Sequence, residues 1–215
     1  MKKYTSYILP ILLIIGITIL GYIKVIYHDK IWSNTFFNFD IVIIAFYMFW
    51  MISETKVSHN DVSQEKVESD YGTREFYAFS QALTILSALW FNPLWDKPNI
   101  YHIAGFMIFV SGVCFRLWAI QTLGQYYSHI VRKITNHKIV DTGPYKLLRH
   151  PAYAGMITAH IGVTIFYFNY VTLICLLLLI SSIIVRIFVE EKTLINIEGY
   201  AEFSAKRKRI IPYVW

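Results

Sequence analysis

The chain has 215 residues, of which 56% are hydrophobic and 16% charged, and its formal net charge is +6 at pH 7. The apolar share is higher, and the charged share lower, than in a typical soluble globular domain. Because no soluble basic domain carries the positive charge, the composition argues against nucleic-acid binding and predicts an integral membrane protein. Its length suits one compact helical bundle rather than several folding units.

Six apolar segments follow one another along the chain, and several approach the ~20 residues that cross a bilayer. The last two are separated only by YFNY, which predicts a tight helical hairpin or one bent element, and each is a little short for a full crossing. We therefore predict an all-α membrane bundle of five to six transmembrane helices. The segments run approximately from Tyr7 to Tyr27, Phe36 to Ile52, Phe76 to Phe91, Ile100 to Thr122, Ala152 to Phe166 and Val171 to Val189.

The basic residues are distributed unevenly between the loops. With the N-terminus inside and six crossings, stretches 1–6, 53–75, 123–151 and 190–215 carry 15 lysines and arginines, and the opposite side carries three. Cytosolic loops retain positive charge, so this pattern predicts a multi-pass protein with both termini in the cytosol. The polar stretch 53–75 mixes both charge signs without apolar periodicity, and we expect it to be a solvated cytosolic loop.

Ionisable side chains inside or at the rim of a span are costly and are therefore candidates for function. Arg116 lies about two turns before the end of the fourth segment, and we favour a side chain that snorkels to the interface over a functional role for this residue. Arg186 and Glu190 are four residues apart and share one face of the last helix. The alternative interpretation of this pair is an ion pair that closes the end of the helix.

A cationic segment, GPYKLLRHPAYAG, occupies residues 143–155 and places Lys146, Arg149 and His150 between two prolines. Pro151 suits the first turn of a helix, whose free backbone N–H groups can hold a carboxylate or a hydroxyl. A basic anchor for lipid headgroups is the alternative, but it does not explain the paired prolines. Because the final hairpin returns the chain to the cytosolic side, we expect this segment and Glu190 to be neighbours around a polar pocket.

In these residues the chain resembles the isoprenylcysteine carboxyl methyltransferase family, together with the related phospholipid N-methyltransferases. The matching text is LGQYYSHIVRKITNHKIVDTGPYKLLRHPAYAG (residues 123–155), RIFVEEKTL (186–194) and GYAEFSAKRKRIIP (199–212). The ordered combination of GPY, RHPxYxG, EE and a final GYxxF is specific. The resemblance implies a methyltransferase-like region at 123–215, with four N-terminal spans at 1–122 on the acceptor side.

The resemblance further implies S-adenosylmethionine as methyl donor, bound in a cytosolic pocket. Arg186 matches the family arginine placed at the reacting group. Glu190, the second catalytic candidate, would accept hydrogen bonds from the cofactor or offset its charge. Arg132 stands where family members often have Gln. The implied cofactor contacts are Arg132, His137, Lys138, Ile139, Val140, Tyr145, His150, Pro151, Ala152, Tyr153 and Glu190.

The implied reaction moves a methyl group to a lipophilic carboxylate, such as that of a prenylcysteine, by in-line displacement. A carboxylate is already a nucleophile, so this reaction requires no general base. One alternative acceptor is a phospholipid amine or another small lipophilic molecule. Further alternatives are an NADPH-dependent membrane reductase of the sterol type and a non-catalytic protein with this fold. The expected partners are the lipophilic acceptor and membrane lipids, without nucleic acid or metal.

Overall fold

The computed structural model describes residues 2–29, 37–61, 72–95, 99–127 and 139–215. The described residues are helical for the most part, as predicted, and Leu148 and Lys208 form one isolated parallel bridge. Two short 3₁₀ turns, Gly124–Tyr126 and Gly143–Lys146, lie between the fourth and fifth α-helices. The helices are α1 (Lys2–Asp29), α2 (Phe37–Asp61), α3 (Thr73–Trp90), α4 (Ile100–Leu123), α5 (Pro151–Phe166), α6 (Tyr170–Leu194) and α7 (Tyr200–Ala205).

The outer surface of the bundle is apolar, as a lipid-facing surface requires. Two of the described helices, α4 and α6, are long and apolar enough to cross a membrane, and α1 and α5 contain shorter apolar stretches. Leu12, Met107 and Ile174 project from three different helices and are each more than half exposed. A water-soluble protein rarely leaves so many large apolar side chains uncovered. The predicted membrane character is therefore confirmed.

Helices α4 and α5 form the closest packing in the molecule. Gly112 of α4 lies against the backbone of Ala159, and Gly162 of α5 lies against the backbone of Phe109, so that a Cβ at either glycine would clash with main-chain atoms. Small residues of this kind allow two helix backbones to touch within a membrane, where the hydrophobic effect gives little drive to association. This contact fixes the position of the N-terminus of α5, where the cationic segment ends.

The connection between α5 and α6 is as short as predicted, but the two helices are not each other's main packing partners. The chain turns through Tyr167–Asn169, after which α6 packs chiefly along α3 while α5 packs chiefly along α4. A buried hydrogen bond from the Ser87 hydroxyl to that of Thr172 (3.2 Å) joins α3 to α6. The short turn predicted between the last two apolar segments is therefore present, and each of the two helices makes most of its contacts with another helix of the bundle.

The prediction of a solvated loop over residues 53–75 is wrong at both ends. Helix α2 continues to Asp61, and α3 already begins at Thr73. The extension of α2 matters for the site because it carries Glu54 on a helix rather than in a loop.

Replacing Gly112 by Ala tests the contact between α4 and α5. The added methyl group would meet the Ala159 backbone, which cannot move aside as a side chain can, so we expect a loss of about 1–3 kcal/mol in the free energy of unfolding. The measurement is the midpoint of thermal unfolding in detergent. Gly16→Ala is the matched control, because its nearest neighbour is the flexible end of the Leu86 side chain. Equal midpoints for the two variants would contradict the proposed close contact.

Candidate active site

The cationic segment, the end of α6 and the C-terminal tail meet at one end of the bundle. Pro151 begins α5, as predicted, with His150 as the residue before the helix. His150 is buried, and its ring lies between two adjacent carboxylates at the end of α6. Its Nδ1 is 3.6 Å from Glu190, and its Nε2 is 3.3 Å from Glu191. The prediction that the cationic segment and Glu190 are neighbours is therefore confirmed.

Glu191 is held by two arginines. One carboxylate oxygen accepts a hydrogen bond from Arg149 Nη1 (3.0 Å), and the other accepts two from the guanidinium of Arg209 (3.0 and 2.8 Å). Both Arg209 nitrogens donate to the same oxygen, Oε2, and hydrogen bonds between charged groups of this kind are stronger than those between neutral groups. Glu191 therefore ties the cationic segment and the tail to α6, and its hydrogen-bonding capacity is largely used.

The C-terminal tail runs beside the cationic segment as a short strap. The backbone N–H groups of Arg149 and His150 donate to the carbonyls of Lys208 and Arg209 (2.8 and 2.9 Å). The Arg209 guanidinium also lies over the rings of Phe188 and Trp215, at 5.1 and 5.2 Å from their centroids. Sequence analysis missed this contribution. Its signal is the basic run at 206–209, which we counted towards membrane topology and included in the family-matching text without assigning it a contact.

Glu190 has different partners from those of its neighbour. Its carboxylate accepts a hydrogen bond from the Tyr153 hydroxyl (2.5 Å), and the same hydroxyl accepts one from Arg186 Nε (2.7 Å). Arg186 Nε and Glu190 Oε1 are 3.5 Å apart, which confirms that the two residues share one face of α6. The hydroxyl thus bridges the cation and the anion. This arrangement is a bridged ion pair whose two charged ends lie beside a cluster of apolar side chains.

Arg186 is almost completely buried, with 2% of its surface exposed. Its Nη1 also donates to the Thr73 hydroxyl of α3 at 3.3 Å. An arginine that merely snorkelled to the interface would expose its guanidinium to water or headgroups. Burial of Arg186 in the bundle therefore favours a role at the site over the interpretation as a simple helix end.

Tyr145 and the start of α7 pack against the first turn of α5, next to the residues described above. Tyr145 is buried in an apolar cluster with Ile120, Ala152, Tyr200 and Phe203, and Ile139 and Val140 pack against this cluster. The Tyr200 hydroxyl is buried and has no hydrogen-bond partner among the described residues. Burial raises the pKa of Tyr200 above its usual range, and the negative charges of Glu191 and Glu190 raise it further. The hydroxyl therefore stays protonated and can donate a hydrogen bond.

The other predicted cofactor contacts divide into two groups. Pro151 and Ala152 are buried in the first turn of α5, next to Tyr153. Arg132, His137 and Lys138 lie outside the described residues.

Arg116 does not snorkel, and the prediction that favoured this is wrong. It is 1% exposed and forms a bidentate ion pair with Glu54 of α2, at 2.5 and 2.8 Å. Its Nη1 donates to the carbonyl of Ala152 (3.0 Å), and the Trp50 indole donates to Glu54. A buried charge requires such partners. The pair thus links α2 and α4 to the first turn of α5, directly behind the site.

Comparison with known proteins identifies relatives across most of the chain. The sequence profile of the Isoprenylcysteine carboxyl methyltransferase (ICMT) family matches residues 104–196. The protein-S-isoprenylcysteine O-methyltransferase of Saccharomyces cerevisiae is 28% identical over 225 aligned positions, which take in 98% of this chain and 90% of the yeast protein. The uncharacterized protein YpbQ of Bacillus subtilis is 30% identical over 46% of this chain and 59% of its own length.

The human protein-S-isoprenylcysteine O-methyltransferase is 33% identical over 31% of this chain and 24% of the human protein. The matched residues 104–196 contain the cationic segment together with Arg186, Glu190 and Glu191. They therefore include the residues that the structure brings together at the end of α6. The resemblance of the sequence to the isoprenylcysteine carboxyl methyltransferase family is thus confirmed over residues 104–196, and it supports a methyltransferase.

Proposed function

We propose that the protein transfers a methyl group from S-adenosylmethionine to the carboxylate of a lipophilic acceptor of the prenylcysteine type. The observation that carries this proposal is the bridged ion pair of Arg186, Tyr153 and Glu190 at the end of an apolar bundle. It offers a cation for the acceptor carboxylate and an anion for the positively charged donor. The yeast and human relatives are named for this reaction.

The described residues fit S-adenosylmethionine as donor. The Tyr200 hydroxyl is a buried donor without a partner among the described residues, and Glu190 keeps accepting capacity beyond its hydrogen bond from Tyr153. A polar, positively charged ligand would use both groups. When bound, S-adenosylmethionine supplies a methyl group that is activated by the sulfonium charge. The residues that would hold it are Ile139, Val140, Tyr145, His150, Pro151, Ala152, Tyr153, Glu190 and Tyr200, with Arg132, His137 and Lys138 proposed from the sequence alone.

In the proposed reaction, Arg186 orients the acceptor. Its planar guanidinium matches a carboxylate bidentately, so it can hold the attacking oxygen in one direction. Glu190 offsets the positive charge on the donor side. Transfer converts a cation and an anion into neutral products, and the apolar surroundings favour this change. Most of the rate acceleration would come from orientation, for which effective molarities are very large.

A carboxylate acceptor suits this site better than an amine. An amine has to lose a proton, and the candidate bases at this end are Glu190, Glu191 and His150. Glu191 is held by two arginines, which stabilise its negative charge and make it a poor proton acceptor. The charge of Glu190 is stabilised by Arg186, through the Tyr153 hydroxyl, and the His150 ring already lies against both glutamates. The carboxylate reaction needs no proton transfer and is therefore compatible with the observed contacts.

The proposal includes the membrane arrangement expected from the sequence. The chain crosses the membrane five or six times, with both termini and the donor site in the cytosol. Residues 1–122 face the acceptor and the lipid, and residues 123–215 hold the donor. The basic run at 206–209 lies in the strap beside the site, so it would face the cytosol as the charge distribution requires.

Glu190→Gln tests the donor site, because it preserves the shape of the side chain and removes the charge. A hydrogen bond to a charged group is worth about 1.5–3 kcal/mol, so we expect S-adenosylhomocysteine to bind about tenfold more weakly or worse. The measurement is calorimetry on detergent-purified protein. The matched control is Glu202→Gln, since Glu202 is exposed and pairs only with Lys206 among the described residues. Unchanged binding in Glu190→Gln, or saturable NADPH binding by the parent protein, would contradict the proposal.

Arg186→Lys separates turnover from donor binding. The substitution keeps the positive charge and removes the planar fork, so we expect the rate of methylation to fall about tenfold or more while S-adenosylhomocysteine affinity is retained. The measurement is transfer of labelled methyl groups to N-acetyl-S-farnesylcysteine. The matched control is Lys206→Arg, at an exposed residue directly after α7, and this variant should methylate the acceptor at the rate of the parent protein. If Arg186→Lys methylates the acceptor as fast as the parent protein, the guanidinium does not orient the acceptor as proposed.

A further inference from the structure

The structure assigns Tyr77 of α3 a role that neither the sequence nor the family resemblance suggested: we propose that its hydroxyl binds the carboxylate of the methyl acceptor. This inference rests on the proposed function. It adds a second group, from the N-terminal half of the chain, to the acceptor contact of Arg186.

The Tyr77 hydroxyl is buried and has no hydrogen-bond partner among the described residues. Leaving a buried hydroxyl without a partner costs about 1–3 kcal/mol relative to a satisfied one. A phenylalanine would fill the same space without this cost. The unpaired hydroxyl therefore destabilises the ligand-free protein. A bound ligand that accepts its hydrogen bond would remove this cost.

Tyr77 lies beside the group that we propose to hold the acceptor. Thr73, one helical turn earlier on the same face of α3, accepts a hydrogen bond from Arg186 Nη1 (3.3 Å). The ring of Tyr77 also meets that of Tyr153 edge to face, with centroids 6.2 Å apart. The α3 side of the site is thus formed by the face that presents Thr73 and Tyr77. A ligand that reaches Arg186 from the bundle interior passes this face.

The charges around Tyr77 indicate the chemistry of its partner. The ring contacts that of Tyr153, whose hydroxyl joins Arg186 to Glu190, and the ion pair of Arg116 with Glu54 also acts on Tyr77 electrostatically. Each of these acidic groups already has an arginine within 4 Å. A neutral phenol is a good donor to an anion. A carboxylate has two oxygens, so one can face the Arg186 guanidinium while the other accepts the hydrogen bond from Tyr77.

A hydroxyl with this role contributes to acceptor binding but not to folding, and the two contributions can be measured separately. Tyr77→Phe removes only the hydroxyl. The matched control is Tyr47→Phe, because Tyr47 is equally buried in the bundle but its hydroxyl is hydrogen-bonded to His160 Nε2 (3.1 Å). Both substitutions remove one hydroxyl. The first should weaken acceptor binding without lowering stability, and the second should lower stability without weakening acceptor binding.

The experiment measures three quantities for the parent protein and both variants in detergent. These are the kinetics of methylation of N-acetyl-S-farnesylcysteine, the affinity for S-adenosylhomocysteine, and the midpoint of thermal unfolding without ligand. For Tyr77→Phe we expect the KM for the acceptor to rise about tenfold. Donor affinity should not change, and the unfolding midpoint should be equal to or above that of the parent. Tyr47→Phe should lower the unfolding midpoint and leave the KM unchanged.

Different outcomes overturn different claims. Three results for Tyr77→Phe would contradict binding of the acceptor by the hydroxyl. These are a KM equal to that of the parent protein, a loss of S-adenosylhomocysteine affinity as large as the rise in KM, and an unfolding midpoint below that of the parent protein. If the parent protein binds S-adenosylhomocysteine and methylates the acceptor, such a result concerns Tyr77 alone. If the parent protein neither binds S-adenosylhomocysteine nor methylates N-acetyl-S-farnesylcysteine, the proposed function itself is wrong and the role of Tyr77 is wrong with it.

Discussion

Arg149 and Arg209 reach the same carboxylate, that of Glu191, from positions 42 residues before it and 18 residues after it. Moving a carboxylate out of water is unfavourable unless hydrogen bonds and opposite charges replace the water. Here the replacement comes from two segments that are also joined to each other by backbone hydrogen bonds. The cationic segment, the tail and the last helix are consequently held in one geometry. The groups proposed to act on ligands are arranged around this fixed point.

The two adjacent glutamates show how one helix end can serve both structure and chemistry. Successive residues on a helix point about 100° apart, so Glu191 faces the arginines of the loop and tail while Glu190 faces Tyr153 and Arg186. The first carboxylate is saturated by cations and is suited to holding the fold. The second is bound by a neutral hydroxyl, with a guanidinium and an imidazole nitrogen close by. Under the proposed function, Glu190 uses its remaining hydrogen-bonding capacity for the positively charged donor.

The sequence predicted those features that depend on local spacing. Arg186 and Glu190 had to share a face because they are four residues apart, and Pro151 had to stand near a helix start because it lacks an N–H group. The interpretation of Arg116 was wrong because its partner, Glu54, lies in a polar stretch that hydropathy marks as a loop. Pairing between distant charges has no local signature. For the same reason the sequence did not predict the strap formed by Arg207, Lys208 and Arg209. The length of the turn between α5 and α6 also does not indicate that α5 packs on α4 and α6 on α3.

Under the proposed function, the bridged ion pair of Arg186 and Glu190 is the resting state of a site that exchanges partners. In the free protein the two charges satisfy each other through the Tyr153 hydroxyl, so no uncompensated charge is buried. When ligands bind, Arg186 can turn its interaction to the acceptor carboxylate and Glu190 to the positive charge on the donor side. The number of buried charges of each sign then stays balanced. Transfer removes the charge of the acceptor carboxylate and the sulfonium charge of the donor, so both ligands attract Arg186 and Glu190 less strongly and the two residues can recover their original partners. The charge neutralisation that drives the chemistry would therefore also favour release of the products from an apolar site.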